Sequence, residues 1–340
     1  MARFKAAVIG LGQIGLTYDF DPGRKRPSSH VLAYMLNGDF SLVGAADPKP
    51  EREGLLRKLA GPVNFYADME KLIAENPALD VVSVCTPPGL HLENIEFILR
   101  NAQPKVIFCE KPLVKNTEEA ARLKSLLAAG GALLVPNISR RWSLGLGKIA
   151  ESIKKEEFGR LQKIAARYTR GVYNTGAHLF DLLRLWAGEI KSVLIADKVQ
   201  TSAEKDGDPS FSFLFETESG AKGVAEAFDD RQYYIFEIDL YFAKGKIEFR
   251  NSGNDVFYYL VKEHALFSGF SQLSLCRRDE GLFNEESLIA GAVANLAGVL
   301  RGADEPACRF GDAVYPLLVA EALERSYKNG SRRESVAQLR

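Results

Sequence analysis

Six residues constrain this chain more than any others. Gly10-Leu11-Gly12-Gln13-Ile14-Gly15 follow directly on a short apolar run, FKAAVI at 4–9. A continuous apolar run ended by glycine suits a strand buried on both faces of a parallel sheet. In such a strand–glycine–helix turn the first glycine permits the tight bend. The second lets a pyrophosphate approach the backbone, and the third lets helix and strand pack closely. The helix N-terminus then faces the phosphates. Placement immediately after a strand separates this motif from a chance match. It predicts dinucleotide contacts from Gly10, Gly12, Gln13, Ile14 and Gly15.

The stretch that follows repeats the alternation. Further apolar runs cover 42–46, 81–85, 106–109 and 133–135, each ended by Asp, Pro, Glu or Thr. Helical patterns lie between them, near 29–36, 50–60, 68–75, 89–101 and 117–129, the last with Thr117 as its expected N-cap. Regular alternation of strand and helix implies right-handed βαβ units and a doubly wound parallel sheet, an α/β Rossmann domain expected over 1–137.

After about residue 140 the pattern changes. Helices are expected near 145–156 and 176–187, with a strand near 161–168 between them. From about 190 to 262 the chain is a series of aromatic and β-branched runs (FSFLFE, KGVAEAF, YIFEIDLYF, KIEFR, VFYYLV) divided by turn residues. Helical segments are expected near 284–301 and 311–328. Residues 138–340 therefore read as an α+β domain with a mostly antiparallel sheet, the expected place of substrate binding and oligomerisation.

Lys+Arg and Asp+Glu both number 44, so there is no basic excess of the kind that marks a nucleic-acid binder. The four cysteines show no metal-ligand spacing, and no metal site is expected. No stretch approaches the ~18 apolar residues of a membrane span. A cytoplasmic protein is expected.

In an open parallel sheet, ligands bind beyond the carboxyl ends of the strands. Asp47, Thr86, Pro87, His91, Glu110, Lys111 and Asn137 all stand at or just after such ends. All but Asn137 are expected cofactor contacts. A carboxylate at Asp47 would bond both ribose hydroxyls and repel a 2′-phosphate, which favours NAD over NADP. It lies further from the glycines than the usual ~20 residues, and an insertion near 17–27 (TYDFDPGRKRP) accounts for the excess.

GLGQIG at 10–15, AADP at 45–48, VSVCTPPGLH at 82–91, CEKPL at 109–113, NISRRW at 137–142 and GVYNTGAHLFDLL at 171–183 occur in this order. Together they resemble the glucose-fructose oxidoreductase/inositol dehydrogenase (Gfo/Idh/MocA) family over nearly the whole chain. The resemblance implies NAD(P) and a sugar, inositol or nucleotide-sugar substrate. It also implies a homodimer or homotetramer formed through the C-terminal sheet. The inserted segment and the NTGAH form look like a subgroup found with bacterial surface-polysaccharide genes.

The resemblance further implies that Lys111 contacts the substrate hydroxyl. Oxidising a secondary alcohol needs a base for the hydroxyl proton, and desolvation beside a positive nicotinamide ring would make a lysine a better one. In Asn174-x-Gly176-x-His178-x-x-Asp181, positions 174, 178 and 181 share one helix face. Family dehydrogenases often carry Asp where this chain has Asn174, so the imidazole loses a charged neighbour. Lys111 is therefore the expected proton-transfer group, with His178 and Asn174 positioning hydroxyls. His178 as base remains the alternative. Asn137, Arg141, Tyr173 and Asp181 are further candidates near the substrate. Two other functions stay open: a glycoside hydrolase that retains its NAD, and a non-catalytic sensor of dinucleotide or sugar.

Overall fold

The computed structural model describes residues 3–338 and divides into two compact units. One runs up to Ser143 and takes in Glu286–Val314; the other comprises Leu144–Glu285 with the stretch from Tyr315.

In the first unit, strands β1 (Phe4–Ile9), β2 (Phe40–Ala46), β3 (Asn64–Tyr66), β4 (Val81–Val84), β5 (Val106–Glu110) and β6 (Leu133–Asn137) alternate with helices. These are α1 (His30–Leu36), α2 (Glu51–Ala60), α3 (Met69–Glu75), α4 (His91–Asn101) and α5 (Thr117–Gly130). The sheet order is β3-β2-β1-β4-β5-β6, with every pair parallel. That is the doubly wound order expected from the sequence, with its reversal between β1 and β4. Val81–Val84 is buried at every position and the last four residues of β1 likewise, as strands covered on both faces require. Helix α5 is capped by Asn116, whose side chain accepts Glu119 N–H at 2.9 Å, and not by Thr117. Both residue types cap well, so the sequence did not decide between neighbours.

The inserted segment interrupts the first crossover helix. Leu16 and Thr17 N–H both donate to Gly12 C=O, and the chain then leaves through a 3₁₀ turn, Thr17–Phe20. It returns at α1, where His30 N–H donates to Ile14 C=O and Val31 N–H to Gly15 C=O. An α-helix joins residues 4 apart. Here the bond joins positions 14 and 30, 16 apart, so 12 residues are looped out while the ladder continues. The loop is anchored by buried Asp19, which accepts from Ser28 N–H at 2.9 Å and from the Ser29 hydroxyl.

In the second unit α6 (Leu144–Lys154), β7 (Leu161–Tyr168) and α7 (Gly176–Ala187) precede strands β8 (Ile190–Val199), β9 (Ser210–Thr217), β10 (Lys222–Ala227), β11 (Phe236–Phe242), β12 (Gly245–Arg250), β13 (Asp255–Glu263) and β14 (Ser271–Asp279). Then come α8 (Leu282–Glu285), α9 (Leu288–Leu300, in the first unit), α10 (Phe310–Lys328) and β15 (Glu334–Ser335). The nine-stranded sheet runs β14-β13-β12-β11-β7-β10-β9-β8-β15 and is antiparallel except where β7 meets β10. Alternation along β11 sends Phe236, Ile238, Leu240 and Phe242 into a core with Leu179, Leu183, Trp186 and Val319. Glu237, Asp239 and Tyr241 take the opposite face.

A candidate dinucleotide and acid–base site

Register places the first unit's candidate residues along one edge. Ala46 of β2 pairs with Ile9 of β1, Ile9 with Val84 of β4, Val84 with Cys109 of β5, and Glu110 with Asn137 of β6. Asp47, Gly10, Cys85 and Glu110 therefore step across the carboxyl edge one strand at a time. Three spacings of ~4.8 Å put about 14 Å between the ends of β2 and β5.

The three glycines of the turn have separate reasons to be glycine. Gly10 has φ +93°, and a Cβ there would meet Cys85 carbonyl carbon at 2.6 Å. A Cβ on Gly15 would fall 2.0 Å from Gly10 carbonyl oxygen. Around Gly12 nothing lies within 4 Å of the Cβ position. The first and third are dictated by the protein's own backbone. The second opens on free space, where a pyrophosphate would rest. Gln13 is exposed beside it, its Oε1 accepting the Tyr18 hydroxyl at 3.1 Å. Asp47 is 9% exposed; Oδ2 accepts Leu11 N–H at 2.7 Å and Oδ1 accepts Lys49 N–H at 2.9 Å. Each oxygen keeps a further lone pair for a ribose hydroxyl. These residues fit a dinucleotide.

Thr86 and Lys111 are half-buried and Pro87 is exposed. His91 is fully buried and meets Thr86 C=O at 2.8 Å and Pro112 C=O at 2.9 Å. Both acceptors are carbonyls, so each contact calls for a ring N–H. The imidazole holds the loop after β4 to the loop after β5 and turns no ring nitrogen toward a ligand. Thr86 Oγ1 accepts from Asn94 at 2.9 Å.

Glu110 Oε1 receives two donors, Asn137 Nδ2 at 2.6 Å and His30 Nε2 at 2.9 Å. Asn137 is 4% exposed, and its Oδ1 accepts Trp142 Nε1–H at 2.7 Å. The Arg141 guanidinium bonds Asp312 at 3.1 Å and Ala307 C=O at 3.2 Å within the same unit. The sequence suggested substrate contacts for both. Burial commits these polar atoms to protein partners instead. His30 was not singled out in the sequence, where it looks like an ordinary residue at a helix start. Burial pushes the Cys85 and Cys109 thiols well up, and the Glu110 charge adds to the effect on both.

In the second unit, Gly171–Thr175 forms a π-helical turn running into α7. Single π turns often mark functional sites. Asp208 caps it, accepting Tyr173 N–H and Asn174 N–H, each at 2.9 Å. Gly171, at φ +77°, has no room for a Cβ because the Asp208 carboxylate would lie 2.1 Å away. Asp208 sits in a turn, KDGDP, which in sequence shows only as a break between strands. Asn174 and His178 are half-buried four residues apart, and Asp181 is fully buried. Tyr173 donates its hydroxyl to Glu324 at 2.7 Å; burial first, and then Glu324, pushes its phenol up. Among the described residues no group of three or more His, Cys, Asp or Glu could hold a metal, and no helix is long and apolar enough to cross a membrane.

The comparisons agree with this geometry. A family model described as "Oxidoreductase family, NAD-binding Rossmann fold" matches residues 4–138, and one described as "GFO/IDH/MocA C-terminal domain" matches 165–248. A myo-inositol 2-dehydrogenase of Thermotoga maritima is 26% identical over 262 residues, 72% of this chain and 74% of its own. A putative myo-inositol dehydrogenase from Sinorhizobium meliloti superposes with a TM-score of 0.75 at 22% identity, over 98% of this chain and all of its own. The WlbA dehydrogenase of Bordetella pertussis, solved with NADH and UDP-GlcNAcA, superposes with a TM-score of 0.77 at 17% identity, over 99% and 98%.

Proposed function

Because the chain belongs to the Gfo/Idh/MocA oxidoreductase family, we propose that it is an NAD(P)-dependent dehydrogenase acting on a secondary hydroxyl or keto group of an inositol, sugar or nucleotide sugar. The observation that carries this reading is the shared edge. The turn that opens at Gly12 and the turn that carries Lys111 both lie at the carboxyl ends of one parallel sheet. Named inositol dehydrogenases among the relatives favour net redox chemistry over NAD-retaining hydrolysis or sensing.

The backbone around Gly12 and the Asp47 carboxylate would hold the dinucleotide, and that carboxylate favours NAD by repelling a 2′-phosphate. When bound, the cofactor supplies the hydride acceptor or donor. Lys111 takes the proton of the substrate hydroxyl in oxidation and returns it in reduction. His178 and Asn174 orient hydroxyls, with the Asp208-capped π turn fixing the Asn174 backbone. Self-association as a homodimer or homotetramer through the nine-stranded sheet belongs to the same proposal. It draws on exposed Val261, Leu273 and Leu275 of the β13–β14 hairpin, and light scattering tests it. Residence in the cytoplasm fits four free cysteines.

The test is NADH formation from a panel of inositols, sugars and nucleotide sugars. Single-turnover rates of Lys111→Ala and His178→Ala then follow on the best substrate. Loss of a proton-transfer group costs about 10²–10⁴ in rate. A near-normal rate for Lys111→Ala at saturating substrate removes its role. Cleavage of an aryl glycoside without net NADH replaces the dehydrogenase reading with the hydrolase.

A further inference from the structure

We propose that His30 is a positioning residue for Lys111 and acts through Glu110; the proposal rests on the acid–base role given to Lys111 above. His30 is fully buried, its ring centroid 4.7 Å from that of Phe108. Nδ1 lies 3.0 Å from Ser83 Oγ, and Nε2 lies 2.9 Å from Glu110 Oε1. Ser83 Oγ is also 2.9 Å from the hydroxyl of fully buried Tyr34.

Hydrogen accounting fixes the direction of this chain. Burial pushes the Tyr34 phenol up, so it keeps its proton. If Tyr34 donates to Ser83, the serine hydroxyl is free to donate to His30 Nδ1. His30 then carries its proton on Nε2 and donates to Glu110. Every hydrogen finds an acceptor in that arrangement. In the reverse arrangement the buried Tyr34 O–H has no acceptor among its hydrogen-bond partners, a costly state. A second chain runs the same way, from Trp142 Nε1–H to Asn137 Oδ1 and from Asn137 Nδ2–H to the same Glu110 oxygen. Both end on one carboxylate. Neither continues past a buried aromatic residue at its far end, so they serve as an anchor and not as a proton path.

Lys111 is the next residue. Its other neighbour, Pro112, is held through its carbonyl by His91. The backbone that carries the lysine is thus tied on both sides, by His30 through the Glu110 side chain and by His91 through the Pro112 carbonyl. His30 reaches this place because the ladder resumes at its own N–H after the looped-out residues. A reacting group displaced by about 1 Å loses on the order of a hundredfold in rate. The anchor prevents that displacement.

The test compares the full-length wild type with His30→Phe, His30→Gln, Glu110→Gln and the double variant His30→Phe/Glu110→Gln. Phenylalanine fills the space and makes neither bond. Glutamine restores an acceptor for Ser83 and a donor for Glu110. His30→Phe is expected to lower kcat by on the order of a hundredfold, with KM and the Kd for NAD changed by no more than about twofold. His30→Gln should recover most of the loss, and His30→Phe should add nothing in the Glu110→Gln background. Full activity of His30→Phe, additive losses, or a loss carried by NAD affinity overturns the proposal. Nitrogen-15 ring spectra read the same bond without turnover. The signal missing from His30→Gln should be an Nε2-protonated ring with bare Nδ1, and the opposite tautomer overturns the proposal even if His30→Phe does not fold. A wild type that forms no NADH overturns the reading of function, and this proposal with it. An active wild type matched by His30→Phe overturns this proposal alone.

Discussion

The Asp47 carboxylate accepts the backbone N–H of Leu11 at 2.7 Å, so the end of β2 braces the glycine turn that follows β1. Its other oxygen accepts Lys49 N–H. An asparagine has one acceptor oxygen, and its amide would face one of these N–H groups donor to donor. Asp47→Asn should therefore cost about 1–3 kcal/mol in stability, the penalty of a buried unsatisfied group. It should also narrow the preference for NAD over NADP, because the charge that repels a 2′-phosphate is gone. Denaturant midpoints and Kd values for both cofactors check this. An unchanged midpoint would show that the Leu11 contact contributes nothing.

The glycine turn allows a separation of folding from binding. Gly10→Ala and Gly15→Ala place a Cβ 2.6 Å and 2.0 Å from backbone atoms. Each should lose about 3 kcal/mol or more through overpacking, Gly10 with added strain from its positive φ. Gly12→Ala meets no protein atom within 4 Å. It should melt like the wild type yet bind NAD roughly tenfold to hundredfold more weakly, since about 1–3 kcal/mol of overpacking then falls on the ligand. Equal NAD affinity in Gly12→Ala would mean that the dinucleotide does not rest there.

What could be read in the sequence was what repeats locally. Each long strand of the first sheet is an apolar run stopped by a turn residue, so the order of a doubly wound sheet followed. Asn64–Tyr66 is three residues long and cannot display a period. Ser271–Asp279 was missed because much of it is exposed, including Leu273 and Leu275, so no buried face marks it. The looped-out segment was legible as an excess of length. That the helical ladder closes behind it was not, because the bond joins Ile14 to His30 across residues with no helical signal. Long-range partners were the least legible. His30 meets Ser83 and Glu110 at separations of 53 and 80 residues. Asn137 and Arg141 stand where a ligand contact is expected, and only burial shows their side chains bonded within the protein.

The cysteines give a labelling prediction. Cys85, Cys109 and Cys308 are buried, and Cys276 is exposed. Burial, with the Glu110 charge beside them, keeps the Cys85 and Cys109 thiols protonated and therefore poor nucleophiles. Iodoacetamide should modify the native protein once, at Cys276, and all four sites after denaturation. Intact-mass measurement on the wild type and Cys276→Ser checks this. Rapid native labelling at Cys109 would mean that the carboxyl edge of β5 opens in solution.

The second unit should weaken in acid at an identifiable residue. Asp239 is 2% exposed on the face of the nine-stranded sheet away from the apolar core. It bonds Arg250 at 2.7 Å, Arg167 at 3.1 Å and Lys246 at 3.2 Å. Burial alone would push its carboxyl up, but the three cations outweigh it and hold it below the usual carboxylate range. A carboxyl lowered by folding contributes stability above its unfolded value, about 3.9. That stability is lost as pH falls through the folded value, because the unfolded chain then binds the proton more readily. Asp239→Asn should cost about 2 kcal/mol at neutral pH, where hydrogen bonds to a charged group are removed. The gap from wild type should stay level down to about pH 4 and narrow below it. Urea unfolding at a series of pH values measures the gap. A gap that persists undiminished in stronger acid would mean the cations do not lower this carboxyl. A variant more stable than wild type would mean that burying the charge costs more than its three partners return.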